Sequence, residues 1–178
     1  YSSVEHVGLL TLAIGIGSGQ LFILHAFNHS IVKVALFLVA GGIIHVYGTK
    51  ELSKLGGILK ASPVWGVVLI AAGFAIAGSP PFGTFISEWL LLRDTFASGE
   101  IVAAVVMIVG LTITFIAITT HVGRVVFGHE QSPARTVPVR AWALTPALLL
   151  VMSLIAGVAV APPVMRMLTV LAQLGARR

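Results

Sequence analysis

The sequence predicts an all-α fold: a polytopic bundle of transmembrane helices, one of them discontinuous. Three observations carry this. Of 178 residues 57% are hydrophobic and only 10% charged, and mean hydropathy is +1.04. An ordinary soluble domain carries about a quarter charged residues and cannot hide so much apolar surface. The apolar residues fall into five long blocks, at 7–24, 31–47, 61–87, 101–120 and 141–165. At roughly 20 residues per crossing, these make about five spans with short connections.

Taken in order, the helices are expected at 4–19, 22–47, 63–97, 101–127 and 141–161. The first block is free of charge and rich in glycine; Gly15, Gly17 and Gly19 suit close packing or a tight turn. The second is apolar except for Lys33 and His45. The third runs from Pro63 to Ala97, and its 35 residues would make a rod of about 52 Å against a hydrocarbon core near 30 Å. Gly78-Ser79-Pro80-Pro81-Phe82-Gly83 lies at its middle. Two prolines supply no N–H and clash with the turn before them, which frees carbonyls around Phe74 to Ala77. Bare carbonyls at membrane depth survive only inside protein or beside water. A helix broken near 78–83 and lining a polar cavity is therefore expected; a kink filled by a neighbour's side chain is the alternative. The fourth block is uninterrupted, and Pro162 and Pro163 stop the fifth. The transmembrane domain thus covers 1–161. Residues 162–178, apolar up to 176 apart from Arg166, form a tail or an interfacial helix.

Loop charge orients the bundle. Lys50, Lys54 and Lys60 fall between the second and third helices, and Arg124, Arg135 and Arg140 between the fourth and fifth. With five spans both groups lie on the side of residue 1, which positive-inside places in the cytoplasm, with the C-terminus outside. The net charge of +5 is therefore a membrane distribution rather than a nucleic-acid footprint. Absence of cysteine removes disulfides, thiolate metal sites and iron–sulfur ligation from this chain. The opening at Tyr1, without a charged leader, reads as part of something longer.

Most charges fall in loops; the exceptions are Lys33 and Glu88. A charge near the bilayer centre costs a few kcal/mol, so it pairs or faces water. Lys33 lies about a dozen residues from either helix end, too deep to snorkel. His25, His29 and Lys33 stand at i, i+4 and i+8 and so share one stripe about 12 Å long. Free histidine titrates near neutrality, and such a column, helped by water, can pass a proton by short hops. Glu88 follows the break by five residues and could exchange protons with that column; pairing with Arg93 is the plainer alternative. Glu5 and His121 are candidate points of proton access, although His121, one turn before Arg124, also suits an interfacial pair. The spacing of His25 and His29 matches zinc ligands, but no glutamate follows His25 and no third ligand is evident, so no metal is expected. Asn28-His29-Ser30 falls inside a helix and cannot serve as a glycosylation acceptor. No nucleophile with its base and no phosphate loop is present, so no catalytic centre and no bound cofactor are expected here.

Three motifs in order carry a family resemblance. Tyr1-Ser2-Ser3-Val4-Glu5-His6-Val7-Gly8 resembles a YSS-x-x-x-x-G helix opening. His25 to Leu38 resembles H-x-x-x-H-x-x-x-K-A-L-L-F-L, and Gly78 to Glu88 resembles G-x-P-P-x-x-G-F-x-x-(E/K). The set is similar to the antiporter-like proton-translocating subunits of respiratory complex I, of group 4 membrane-bound hydrogenases (hydrogenase-4 type included) and of Mrp sodium/proton antiporters. The resemblance implies a fold of inverted repeats with broken helices, of which this chain is the later part. It implies Lys33 as relay lysine, His29 and His25 as its partners, Glu88 as the ionisable residue of the second broken helix, and Gly78, Pro80, Pro81 and Gly83 as the break. The first repeat's own glutamate–lysine pair lies outside these residues.

By the same resemblance the chain is a non-redox, proton-conducting subunit of an NADH–quinone oxidoreductase or hydrogenase type of complex, multi-pass in a bacterial-type inner membrane. Iron–sulfur clusters and flavin or nickel–iron would belong to partner subunits. Its partners would be other membrane subunits, the lipid bilayer and protons, with sodium ions as the variant. An Mrp-type antiporter not driven by electron transfer is the alternative, and a bundle whose charges only glue helices is a third reading.

Overall fold

A computed structural model of the chain describes residues 2–129 and 139–159. Among them every regular element is helical: α1 (Ser2–Gly15), α2 (Gly19–Tyr47), α3 (Ile58–Ala61), α4 (Pro63–Ile76), α5 (Gly83–Ala97), α6 (Ile101–Phe127) and α7 (Val139–Val158). A single 3-10 turn, Leu52–Lys54, precedes the short α3. The tail at 162–178 and the last residues expected in the fifth helix lie outside the described residues.

Glycine ends three of these helices in one way. At α1 the Gly17 N–H bonds the Ile14 carbonyl and the Ser18 N–H bonds that of Ala13, with Gly17 at φ 75°. The same pair of bonds closes α4 at Gly78, φ 64°, and α5 at Gly99, φ 82°. This left-handed turn satisfies carbonyls that a helix end otherwise leaves bare, and only glycine adopts it without a Cβ penalty. It explains why α1 stops at Gly15 rather than running to 19.

The third block is correspondingly two helices, α4 and α5, with 77–82 between them. Ser79 N–H bonds the Phe74 carbonyl at 3.0 Å and Gly78 N–H bonds that of Ala75 at 3.4 Å. The carbonyls of Phe74 and Ala75 are thus capped, not bare as the proline argument expects. Gly78 ends the helix; Pro80 and Pro81 stand beyond it and prevent its resumption. Thr84 then ties the two halves, its hydroxyl donating to the Ala75 carbonyl.

α2 is the central helix, packed by α1, α4, α5 and α7. Its buried Val32, Ala35, Val39, Ile43 and Val46 recur every three or four residues and meet Trp65, Leu69 and Ala72 of α4, with Ala143 and Leu150 of α7 in the same core. The Trp65 indole lies flat over Gly42, where any Cβ would collide with its ring. A second apolar cluster joins Leu9 and Ala13 of α1, Leu21 of α2, Leu90 and Leu91 of α5 and Met107 of α6. Along α2 the two clusters are separated by the turns that carry His25 and Asn28, both buried. α6 shows the opposite character, an apolar helix long enough to cross a bilayer with little of its surface covered.

Candidate functional site

Three helices converge on the polar layer between the two apolar clusters. α1 contributes His6, α2 contributes His25, Asn28 and His29, and α5 contributes Thr84, Ser87 and Glu88. His6 and His25 are 1% and 0% exposed and Glu88 5%. Burying such groups is costly unless they bond one another; His6 and His25 do, while Glu88 Oε1 and His6 Nε2 find no hydrogen-bond partner among the described residues. His25 Nδ1 lies 2.9 Å from Ser87 Oγ, and His25 Nε2 lies 3.0 Å from His6 Nδ1. His6 Nδ1 is in turn 4.0 Å from Glu88 Oε1. The His29 ring tilts against that of His6, with centroids 4.0 Å apart.

Tautomers follow from this geometry. Ser87 Oγ donates its proton to the Thr84 carbonyl at 2.9 Å, and so accepts from His25 Nδ1–H. That leaves a lone pair on His25 Nε2, which accepts from His6 Nδ1–H. His25 therefore holds one nitrogen toward Ser87 and the other toward His6, the arrangement by which a ring takes a proton on one side and releases it on the other; on His6 both contacts converge on Nδ1, and Nε2 has no partner among the described residues.

The helix break aims this layer. Asn28 Nδ2 donates to the Gly83 carbonyl at 2.8 Å, fixing the first turn of α5 to α2. Gly78 leaves room for the Glu88 carboxylate, which lies where a Cβ would stand. Pro81 presses its carbonyl on Gly157 of α7 in the same manner. Glu88 also borders a cleft of about 260 Å³ between α5 and α6, lined by Gly78, Trp89, Leu111, Thr112 and Phe115 among others. Its Oε1 has no hydrogen-bond partner among the described residues.

The residues expected from sequence are brought together unevenly. His25, His29 and Glu88 join the layer. Lys33 does not pair with Glu88: no carboxylate lies within ion-pairing distance of it among the described residues, and its Nζ rests 5.3 Å from the centre of the Phe37 ring, one turn along the same helix. Glu88 has His6 beside it instead, and His29 packs on His6. Arg93 forks onto Asp94, Nε at 2.8 Å and a terminal nitrogen at 2.6 Å, and Glu88 takes no part in that pair. Glu5 is half-buried in the first turn of α1. His121 is exposed, its Nδ1 2.7 Å from the Ala117 carbonyl, away from the layer.

Sequence reasoning missed His6 as a member of the site, along with Ser87, Thr84 and Asn28. One signal was present: Glu5 and His6 are adjacent ionisable residues opening an apolar helix. Which way His6 faces follows only from packing, because α1 alone has no strong apolar stripe to orient it.

Comparison with known proteins agrees with this architecture. Residues 1–114 match the family model described as NADH:quinone oxidoreductase/Mrp antiporter, TM. A hydrogenase-4 component F homolog of Methylacidiphilum infernorum (isolate V4) is 37% identical over 142 residues, covering 76% of this chain and 30% of that protein. A Na(+)/H(+) antiporter subunit A1 of Staphylococcus aureus (strain JH9) is 27% identical over 187 residues, 88% of this chain and 23% of its own length. The chain thus spans less than a third of the length of these two relatives. The solved Mrp complex of Dietzia sp. DQ12-45-1b shares the fold, with TM-score 0.69 and 21% identity over 89% of this chain and 42% of that one. With a family model covering well over half its length, this chain is a transmembrane, antiporter-like member of the NADH:quinone oxidoreductase/Mrp antiporter family.

Proposed function

We propose that the chain conducts protons through the polar layer as part of a membrane subunit in a redox-driven complex of the hydrogenase or NADH–quinone oxidoreductase type. The observation that supports this most is the run Ser87–His25–His6–Glu88, linked by contacts of 2.9, 3.0 and 4.0 Å and buried where three helices meet. Lys33 feeds the run through His29, its neighbour one turn away on α2; residues so spaced stand about 5–6 Å apart at Cβ, a gap that one water spans. A charge change in a neighbouring subunit shifts where the proton rests, on Lys33, on the imidazoles or on Glu88. Electrons travel elsewhere, through iron–sulfur clusters and flavin or nickel–iron of partner subunits. The loop lysines face the cytoplasm and the C-terminus the opposite side.

The test is Lys33→Ala in the complete assembly, reconstituted in proteoliposomes and driven by its own electron donor. Pumping is expected to vanish with the complex intact and electron transfer measurable; normal pumping rejects the reading. A second reading, an Mrp-type sodium/proton antiporter, draws support from the staphylococcal relative, similar over 88% of this chain. Sodium-dependent proton flux without any electron donor favours that reading over the first.

A further inference from the structure

His6, His25 and Glu88 come from three different helices, yet each offers a ligand atom and these atoms all lie within 4.8 Å of one another. We propose that they form a binding site for a divalent first-row cation, Zn²⁺ above all, lodged between His6 Nδ1, His25 Nε2 and Glu88 Oε1. Sequence spacing pointed away from this, because His25 and His29 alone lack a third ligand. Packing replaces His29 with His6 and adds the carboxylate.

The donor set decides the class of ion. Two imidazole nitrogens and one carboxylate oxygen are borderline ligands suited to zinc, whereas magnesium and calcium require oxygen cages. A tetrahedral zinc with bonds of 2.0–2.1 Å holds its ligand atoms about 3.3 Å apart. The two nitrogens stand at 3.0 Å, the His6 nitrogen is 4.0 Å from the Glu88 oxygen, and the set spreads to within 4.8 Å, so closure needs the rings to part by a few tenths and Glu88 to swing inward toward both. Glu88 Oε1, lacking any hydrogen-bond partner among the described residues, gives up nothing in that swing.

The outer contacts favour the same assignment. A metal-bound histidine usually donates its far N–H to an oxygen, which fixes ring and tautomer. His25 Nδ1 meets Ser87 Oγ at 2.9 Å, an outer contact of this kind. Three protein ligands leave the fourth position for water. The cleft bordered by Glu88, Gly78 and Thr112 gives the ion a way in. The ion takes the same lone pairs that the proton uses, so it blocks conduction; this consequence rests on the relay reading, while the binding does not.

The experiment uses the complete assembly in lipid, stripped with a chelator and titrated with Zn²⁺ against a competing fluorescent chelator, with no electron donor present. Wild type is expected to take up one equivalent more than His6→Gln, and the zinc-edge difference spectrum to show two imidazole nitrogens and light oxygen ligands. Ser87→Ala, which removes only the outer contact, is expected to weaken binding about 10–100-fold. His29→Gln is expected to bind zinc as wild type does, and excess Mg²⁺ or Ca²⁺ to leave uptake unchanged. Equal uptake by wild type and His6→Gln, or a spectrum without two imidazoles, overturns the proposal. Should His6→Gln fail to assemble, the wild-type spectrum and an unchanged affinity in Ser87→Ala decide against it just as clearly. None of these readouts needs proton flux, so loss of the zinc site and loss of the relay reading are told apart.

Discussion

His6 Nδ1 and His25 Nε2 stand 3.0 Å apart, both rings buried, one on α1 and the other nineteen residues later on α2. That contact converts two isolated histidines into one unit, because each nitrogen's protonation state is set by the other. It also makes His6 the node at which α1, α2 and α5 meet.

His6→Ala is therefore expected to lower proton flux by about a hundredfold or more, the range lost when a positioned proton carrier is removed. His121→Ala should leave flux within about twofold, because that ring is exposed and bonds only its own helix. Dye-quench flux measurements on reconstituted complex, at matched protein content, check both. Equal losses in the two variants contradict the role of His6.

Gly42 and Gly41 are neighbours on α2 with opposite surroundings. A Cβ at Gly42 meets the Trp65 ring, while one at Gly41 meets nothing within 4 Å. Gly42→Ala is expected to destabilise by about 1–3 kcal/mol through overpacking. Gly41→Ala should be neutral or stabilising by up to about 1 kcal/mol from helix propensity. Thermal unfolding in detergent separates them, and a drop in Tm for Gly41→Ala alone contradicts the packing.

The helices themselves were legible from sequence because the bilayer imposes a length and composition that leave few alternatives. The break was legible too, since Gly78, Pro80 and Pro81 cannot all continue a helix. Its mechanism was less so: which residue turns left-handed depends on the hydrogen bonds of Ser79 and Gly78, which no spacing rule states. The site was half legible. His25 and His29 announce themselves by sharing a helix, so helical periodicity relates them. His6, Ser87 and Asn28 belong to the layer through contacts between helices, and a periodicity argument is silent on which faces of two helices meet. Periodicity is equally silent on what lies beside Lys33 and Glu88: a charge set in an apolar helix needs company, but the sequence does not say whose.

Gly78→Ala carries two costs where Gly99→Ala carries one. Both glycines have positive φ, so alanine costs roughly 1–2 kcal/mol at either. At Gly99 the added methyl meets open space, whereas at Gly78 it displaces the Glu88 carboxylate. Flux is expected to fall in Gly78→Ala and persist in Gly99→Ala at similar loss of stability. Retained flux in both would separate the glycine from the function of Glu88.

Double-mutant cycles test which partner Glu88 has. Residues in contact couple by about 0.5–3 kcal/mol, and distant ones add within about 0.3–0.5 kcal/mol. His6 Nδ1 is 4.0 Å from Glu88 Oε1, inside one buried layer, so His6→Gln and Glu88→Gln should be strongly non-additive in unfolding stability. Lys33 rests over Phe37 instead, so Lys33→Met and Glu88→Gln should add. The contrast matters because transport alone does not make it: removing any member of a relay abolishes flux whether or not it touches the next. Strong coupling of Lys33 to Glu88 together with weak coupling of His6 would restore the direct ion pair and displace His6 from the centre of the layer. The opposite result places the buried carboxylate under the control of α1, and the lysine one step further back along α2.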